Sequence, residues 1–169
     1  MPTQRSAPSQ DHPAPAEPGT LAALRERLLD LAPRSVLVIG SLPELDTAAL
    51  FTETTTVHSI ATDATATLAS LGLSDLALVG GALETLSRRD GEMLLASLRD
   101  LYARRCVIRL GACEHWTDHD LIAFGFHRLA SADDAVQFLG FDIATYKPTP
   151  DWLNADHWAN PQLFDRFRW

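Results

Sequence analysis

Ser35-Val36-Leu37-Val38-Ile39-Gly40-Ser41-Leu42-Pro43-Glu44 decides the fold of this chain. Four apolar residues in an unbroken run predict a strand covered on both faces, as in the middle of a parallel sheet. Gly40 then turns the chain. Ser41-x-x-Glu44 has the form of a capping box with Pro43 in the first turn, which predicts a helix through Leu45, Ala49 and Leu50. A strand, a glycine and a helix start form the unit on which α/β proteins hold nucleotide-like ligands. One glycine stands where a phosphate-binding loop carries two or three, Pro43 lacks an N–H, and no Gly-Lys-Ser/Thr follows any strand. Dinucleotide and P-loop readings are therefore poor.

Outward from that stretch, strands and helices alternate. Thr20 is placed to cap a helix carrying Leu21, Leu24, Leu28 and Leu31. Thr54 to Ile60 is β-branched and predicts a second strand, Ala64 to Leu71 a short helix, and Leu76 to Val79 a third strand ending at Gly80-Gly81. An amphipathic helix is expected from Asp90 through Met93, Leu94, Leu98 and Leu101. Cys106 to Leu110 predicts a fourth strand, and Thr117-x-x-Asp120 a capped helix ended by Gly125. Phe126 to Ala130 and Ala135 to Tyr146 form a closing hairpin about Asp133-Asp134. Alternating elements of this kind predict a three-layer α/β domain with a mostly parallel sheet and an antiparallel C-terminal hairpin.

The boundaries follow from composition. The chain has 169 residues, 46% of them apolar, which suits one domain. Residues 1–19 hold five of the ten prolines and almost nothing large and apolar, so they are expected to be a disordered leader. Residues 20–146 form the domain, and residues 147–169 an aromatic extension. Tyr146, Trp152, Trp158, Phe164, Phe167 and Trp169 are nearly half of the chain's aromatic residues. They are read as a clamp packed on the domain, as a surface for a protein partner or a second copy, or as a plug over the ligand edge. A net charge of −8 without a basic patch opposes nucleic-acid binding. No stretch reaches the roughly 18–20 apolar residues of a membrane span. The two cysteines, Cys106 and Cys113, suit free thiols in the cytoplasm.

Three pieces of the chain resemble the class I S-adenosylmethionine-dependent methyltransferases in shortened form. Asp75-Leu76-Ala77-Leu78-Val79-Gly80-Gly81-Ala82-Leu83-Glu84-Thr85-Leu86 is similar to their later strand and Leu-Glu-His-Leu turn. Val107 to Leu110 is similar to the next strand, and Asp120 to Leu129 to the helix and Gly-Phe entry of the final hairpin. The chain also resembles a small uncharacterised bacterial family with a Trp-rich C-terminus. The first resemblance implies a methyltransferase-like Rossmann fold, S-adenosylmethionine as cofactor, and cofactor contacts at Gly40, Ser41, Asp63, Gly80 and Gly81. The departures fall in the same place. Val38 takes the acidic position, Leu42 and Glu44 replace the later glycines, Ala61 replaces the ribose-binding carboxylate, and Thr85 replaces the histidine. A side chain where glycine is usual collides with a ligand or strains the backbone. Two functions follow: a methyltransferase-like protein without conventional catalysis that acts as a binding or interaction module, or a methyltransferase of unknown substrate with an atypical loop.

Other chemistry has less support. No catalytic acid, base or nucleophile is assigned. Cys106 lies mid-strand, and Cys113 has Glu114 and His115 beside it only in sequence. His115 and His119 are four apart, but a cap at Thr117 leaves His115 outside the helix, so no metal site is assigned. Arg109, charged within an apolar strand, either faces the ligand crevice or pairs with Glu84 or another acid.

Overall fold

The computed structural model describes residues 19–146 apart from residue 134; the extension and, save Gly19, the leader lie outside the described residues. Gly19–Thr20 (β1) makes a two-residue parallel pairing with a later strand, Gly19 opposite Ala130. The Thr20 hydroxyl accepts from the Ala23 N–H at 3.2 Å and starts α1, Leu21–Asp30. There follow β2 (Ser35–Gly40), α2 (Thr47–Leu50), β3 (Thr56–Ile60), α3 (Leu68–Leu71), β4 (Ser74–Gly80), α4 (Ala82–Thr85), α5 (Arg88–Ser97), β5 (Ala103–Leu110), α6 (Asp118–Ala123), β6 (His127–Asp133) and β7 (Val136–Asp142).

These strands form one sheet in the order β1-β6-β7-β5-β4-β2-β3. β3, β2, β4 and β5 run parallel, and β7 pairs antiparallel with both β5 and β6. The domain is therefore the expected methyltransferase-like Rossmann architecture, mostly parallel and closed by an antiparallel hairpin. The apolar runs explain the layering. Leu37, Ile39, Ala77, Val79, Cys106 and Ile108 face one way, onto Leu94, Leu95 and Leu98 of the α5 region and Leu121 of α6. Val36, Val38, Leu76, Leu78 and Val107 face the other way, onto Leu24 and Leu28 of α1 and onto Leu42 and Leu45. Period-two alternation between two covered faces makes a continuous apolar run a central strand. β3, at the sheet edge, is not covered in this way and remains largely exposed.

Three local expectations need correction. No helix starts at Ser41. Pro43 and Glu44 lie in a turn closed by the Leu45 N–H to the Leu42 carbonyl at 3.0 Å, and α2 begins at Thr47, capped by Asp46. Glu44 does not reach back to cap, because it finds a guanidinium instead. The long helix starts two residues before Asp90, since Ser87 accepts from the Asp90 N–H. Its apolar face also ends early. Leu94 and Leu98 are buried, but Met93 and Leu101 are 60% and 62% exposed. Residues Leu98–Tyr102 wind as a π turn, whose wider spacing carries Leu101 off the core-facing stripe.

Candidate functional site

The carboxyl ends of β2, β4 and β5 meet where this class of sheet holds its ligands. Gly40 and Gly80 lie opposite one another in register. The Ser41 N–H donates to the Gly80 carbonyl at 3.0 Å, so the turn after β2 closes onto the end of β4. The approach leaves no room for side chains. A Cβ on Gly40 would stand 2.1 Å from the Gly80 oxygen, and one on Gly80 would stand 2.1 Å from the Ser41 oxygen and 2.8 Å from Leu42 Cγ. Leu42 itself is 5% exposed and packs in the α1-side core. Both glycines are thus required by the protein's own chain.

Gly81 differs. Its φ of +74° is left-handed, and nothing lies within 4 Å of the position a Cβ would take. Asp63 follows β3 and lines an open groove of about 460 Å³ with Leu68, Leu86, Asp90 and Met93. Gly40, Ser41, Gly80 and Gly81 do not line that groove. The structure therefore brings Gly40, Ser41 and Gly80 into one contact, leaves Gly81 beside it facing open space, and turns Asp63 toward a different surface.

Charge fills the same edge. Arg109 Nε donates to Glu44 Oε1 and Oε2 at 2.9 and 2.8 Å, Nη2 donates to Glu44 Oε1 at 2.8 Å, and Nη1 reaches Glu84 Oε1 at 3.4 Å. Glu84 Oε1 also accepts from the Gly111 N–H at 2.7 Å. The Arg109, Glu44 and Glu84 side chains are only 17%, 19% and 19% exposed. The bonds from Arg109 hold the Glu44 carboxyl below its ordinary range, against burial, which acts the other way. Glu84 Oε2 is buried and has no hydrogen-bond partner among the described residues. Of its two anticipated roles, Arg109 takes the pairing one, with Glu84 and with another acid. Its principal partner, Glu44, was hidden by the local capping pattern.

On the α5 side, Arg88 ties three elements together. It donates to Glu92 at 2.8 Å, to the His115 carbonyl at 2.9 Å and to Asp120 at 3.1 Å, with its guanidinium carbon 3.9 Å above the Trp116 ring. The Thr117/Asp120 capping box is formed, and the bond from Arg88 is the first cause holding the Asp120 carboxyl at about 2. His115 precedes this cap and lies outside α6, so it shares no helix face with His119. Nothing local in the sequence marks Arg88, because its partners lie up to 32 residues away.

A family of unknown function (DUF6231) matches residues 18–169. The chain belongs to that family. No curated protein matches it. Among solved structures, this DUF6231 chain is similar to the magnesium protoporphyrin IX methyltransferase of Synechocystis PCC 6803 with bound S-adenosylmethionine, at 12% identity and a TM-score of 0.49 over 71% of this chain and 76% of that one. It is also similar to the methyltransferase domain of a bacterial Hen1, at 12% identity and a TM-score of 0.48, over 72% and 96% of the two chains. A third likeness is to phosphoethanolamine N-methyltransferase 2 of Haemonchus contortus, at 16% identity and a TM-score of 0.45, over 70% and 37%. These are likenesses of fold.

The thiols of the DUF6231 chain are placed structurally. Cys106 is buried in β5, and burial pushes its thiol up to about 12. Cys113 Sγ lies 3.7 Å from the Leu83 carbonyl, and no hydrogen bond joins it to Glu114 or His115. Among the described residues no group of three or more His, Cys, Asp or Glu side chains is arranged to hold a metal ion. None of the helices there is long and apolar enough to cross a membrane.

Proposed function

We propose that this chain is a methyltransferase-like domain without conventional catalysis, working in the cytoplasm as a binding or interaction module. One observation carries the reading: the turn after β2 closes on the protein's own β4, with Leu42 beside Gly80 and the Ser41 N–H spent on the Gly80 carbonyl. A cofactor laid against this loop in the pose that the methyltransferase resemblance implies would compete with Leu42 for volume. It would find no free N–H on Ser41 and none on Pro43. It would meet a Glu44 carboxylate already committed to Arg109. The residues present do not fit S-adenosylmethionine in that pose, and no chemical step is derived through it. The aromatic residues from Tyr146 to Trp169 are the proposed contact with a protein partner or a second copy, because Trp, Tyr, Phe and Arg dominate interface hot spots.

A second reading has an observation of its own. Gly81 faces open space and Asp63 lines a groove of about 460 Å³. An enzyme of unknown substrate would bind S-adenosylmethionine in an altered pose through Gly40, Ser41, Asp63, Gly80 and Gly81. Calorimetric titration with S-adenosylmethionine and S-adenosylhomocysteine separates the two. Absence of heat at millimolar ligand supports the binding module, and micromolar affinity for either ligand overturns it. Truncation after Tyr146 tests the contact surface: a folded product with changed oligomeric state supports it, and unfolding assigns the aromatic residues to the core.

A further inference from the structure

At the opposite end of the sheet, where β4 and β5 begin and β7 ends, α1 and the strands line a half-open cavity of about 60 Å³. Its walls include the buried Leu24 and Leu28 of α1, and its charged and polar lining is Arg27, Arg105, His127 and Asp142. The charges do not cancel. Arg105 Nε donates to Asp142 Oδ2 at 2.9 Å, which makes one neutral pair. No side-chain hydrogen bond or ion pair joins the exposed Arg27 to another described residue, so among the described lining one positive charge is unpaired.

We propose that this cavity is a binding site for a short-chain monocarboxylate, its apolar part between α1 and the sheet and its carboxylate toward Arg27. Size sets the class. At about 10–15 Å³ for each water-sized group, the space admits roughly four to six heavy atoms. Lining sets the rest. Aliphatic walls favour a hydrocarbon stem, and one surplus positive charge balances a monoanion. A phosphate dianion would need more donors than one free guanidinium supplies. The site is remote from the turn after β2, so it stands or falls independently of how that turn treats S-adenosylmethionine.

His127 supplies the readout. Its pKa lies below the usual value, first through burial and then through Arg27, with Asp142 opposing. A carboxylate seated by Arg27 screens that guanidinium and draws the histidine pKa upward. The experiment is an NMR titration of the full chain, following the imidazole signals of His127 with butyrate, butan-1-ol and butylamine as probes. Butyrate is expected to give a saturable shift and a raised His127 pKa, with butan-1-ol weaker by roughly 2- to 5-fold, the worth of one partly exposed ion pair, and butylamine weakest. Arg27→Ala, an exposed helical position expected to fold normally, should weaken butyrate by a similar factor and leave butan-1-ol unchanged. A non-saturating butyrate response up to about 100 mM, equal affinity for butyrate and butan-1-ol, or an unchanged butyrate affinity in Arg27→Ala would each overturn the proposal.

Discussion

Replacing Arg109 by Met removes a cation that serves two carboxylates at the carboxyl edge of the sheet. The guanidinium donates three bonds of 2.8–2.9 Å to Glu44 and one of 3.4 Å to Glu84. Methionine keeps much of the stem's packing and leaves both acids without a counter-charge. Breaking a fully buried pair by removing one partner costs about 3–5 kcal/mol. About a fifth of each side chain here still meets solvent, so the lower end applies, about 2–3 kcal/mol. For a domain of this size that is a fall in melting temperature of roughly 4–12 °C. The cost also depends on pH in a defined direction. Glu44 is held below 4.5 in the folded wild type, so its contribution is present above that value and fades as pH falls through the lowered one. In the variant the two lowering effects of Arg109 are gone and burial is opposed only by a backbone hydrogen bond, so the Glu44 pKa moves upward and acid relieves the variant. The gap between the two proteins should therefore narrow from pH 7 to pH 4. Urea denaturation at both pH values measures it. Glu44→Gln combined with Arg109→Met should recover part of the loss, because a neutral amide replaces the stranded charge. A gap below about 0.5 kcal/mol at pH 7, or one equal at pH 7 and pH 4, would refute the view that this cluster is desolvated and anchors the turn.

Four further outcomes are expected. Gly80→Ala places a Cβ 2.1 Å from the Ser41 carbonyl oxygen, a backbone contact that cannot swing away, and should lower the urea-derived stability by about 2–3 kcal/mol. Gly81→Ala meets no neighbour and should lose only about 1 kcal/mol, from its left-handed backbone. Thr117→Ala removes the hydroxyl that accepts from the Asp120 N–H and should cost about 1 kcal/mol in thermal unfolding, largely restored by Thr117→Ser. With a thiol alkylating reagent at pH 8, Cys113 should react in the native protein and Cys106, raised to about 12, only after unfolding; mass spectrometry showing equally fast modification of both would contradict the burial of β5.

What could be read from the sequence divides by distance along the chain. Val36–Ile39 and Leu76–Val79 are legible as central strands because an unbroken apolar run is stable only with both faces covered. The Thr117 cap is legible because donor and acceptor lie three residues apart. The Ser41/Glu44 pattern obeys the same local rule and is overridden. Its carboxylate finds a guanidinium 65 residues away in a charge-assisted bidentate pair, and the Ser41 N–H that the box would use is taken by the Gly80 carbonyl. No local pattern carries that information; the only hint was an arginine inside an apolar strand with its partner unassigned. The π turn at Leu98–Tyr102 escaped for a related reason, since a helical period assumes the regular winding that tertiary packing altered there.

Leu42 and Glu44 then take on a joint meaning. Each replaces a glycine of the methyltransferase-type loop that the chain resembles. Each also makes a contact that a glycine could not make: Leu42 fills the space against Gly80, and Glu44 holds Arg109. A loop that had only lost its ligand would be expected to show unfilled volume or unpaired charge at these positions. Here the two side chains close the turn by packing and by charge, through independent partners. Returning either one to glycine would leave the turn held by the other, and by the backbone bonds that Ser41 makes to the Gly80 carbonyl and that the Glu44 carbonyl accepts from Arg25.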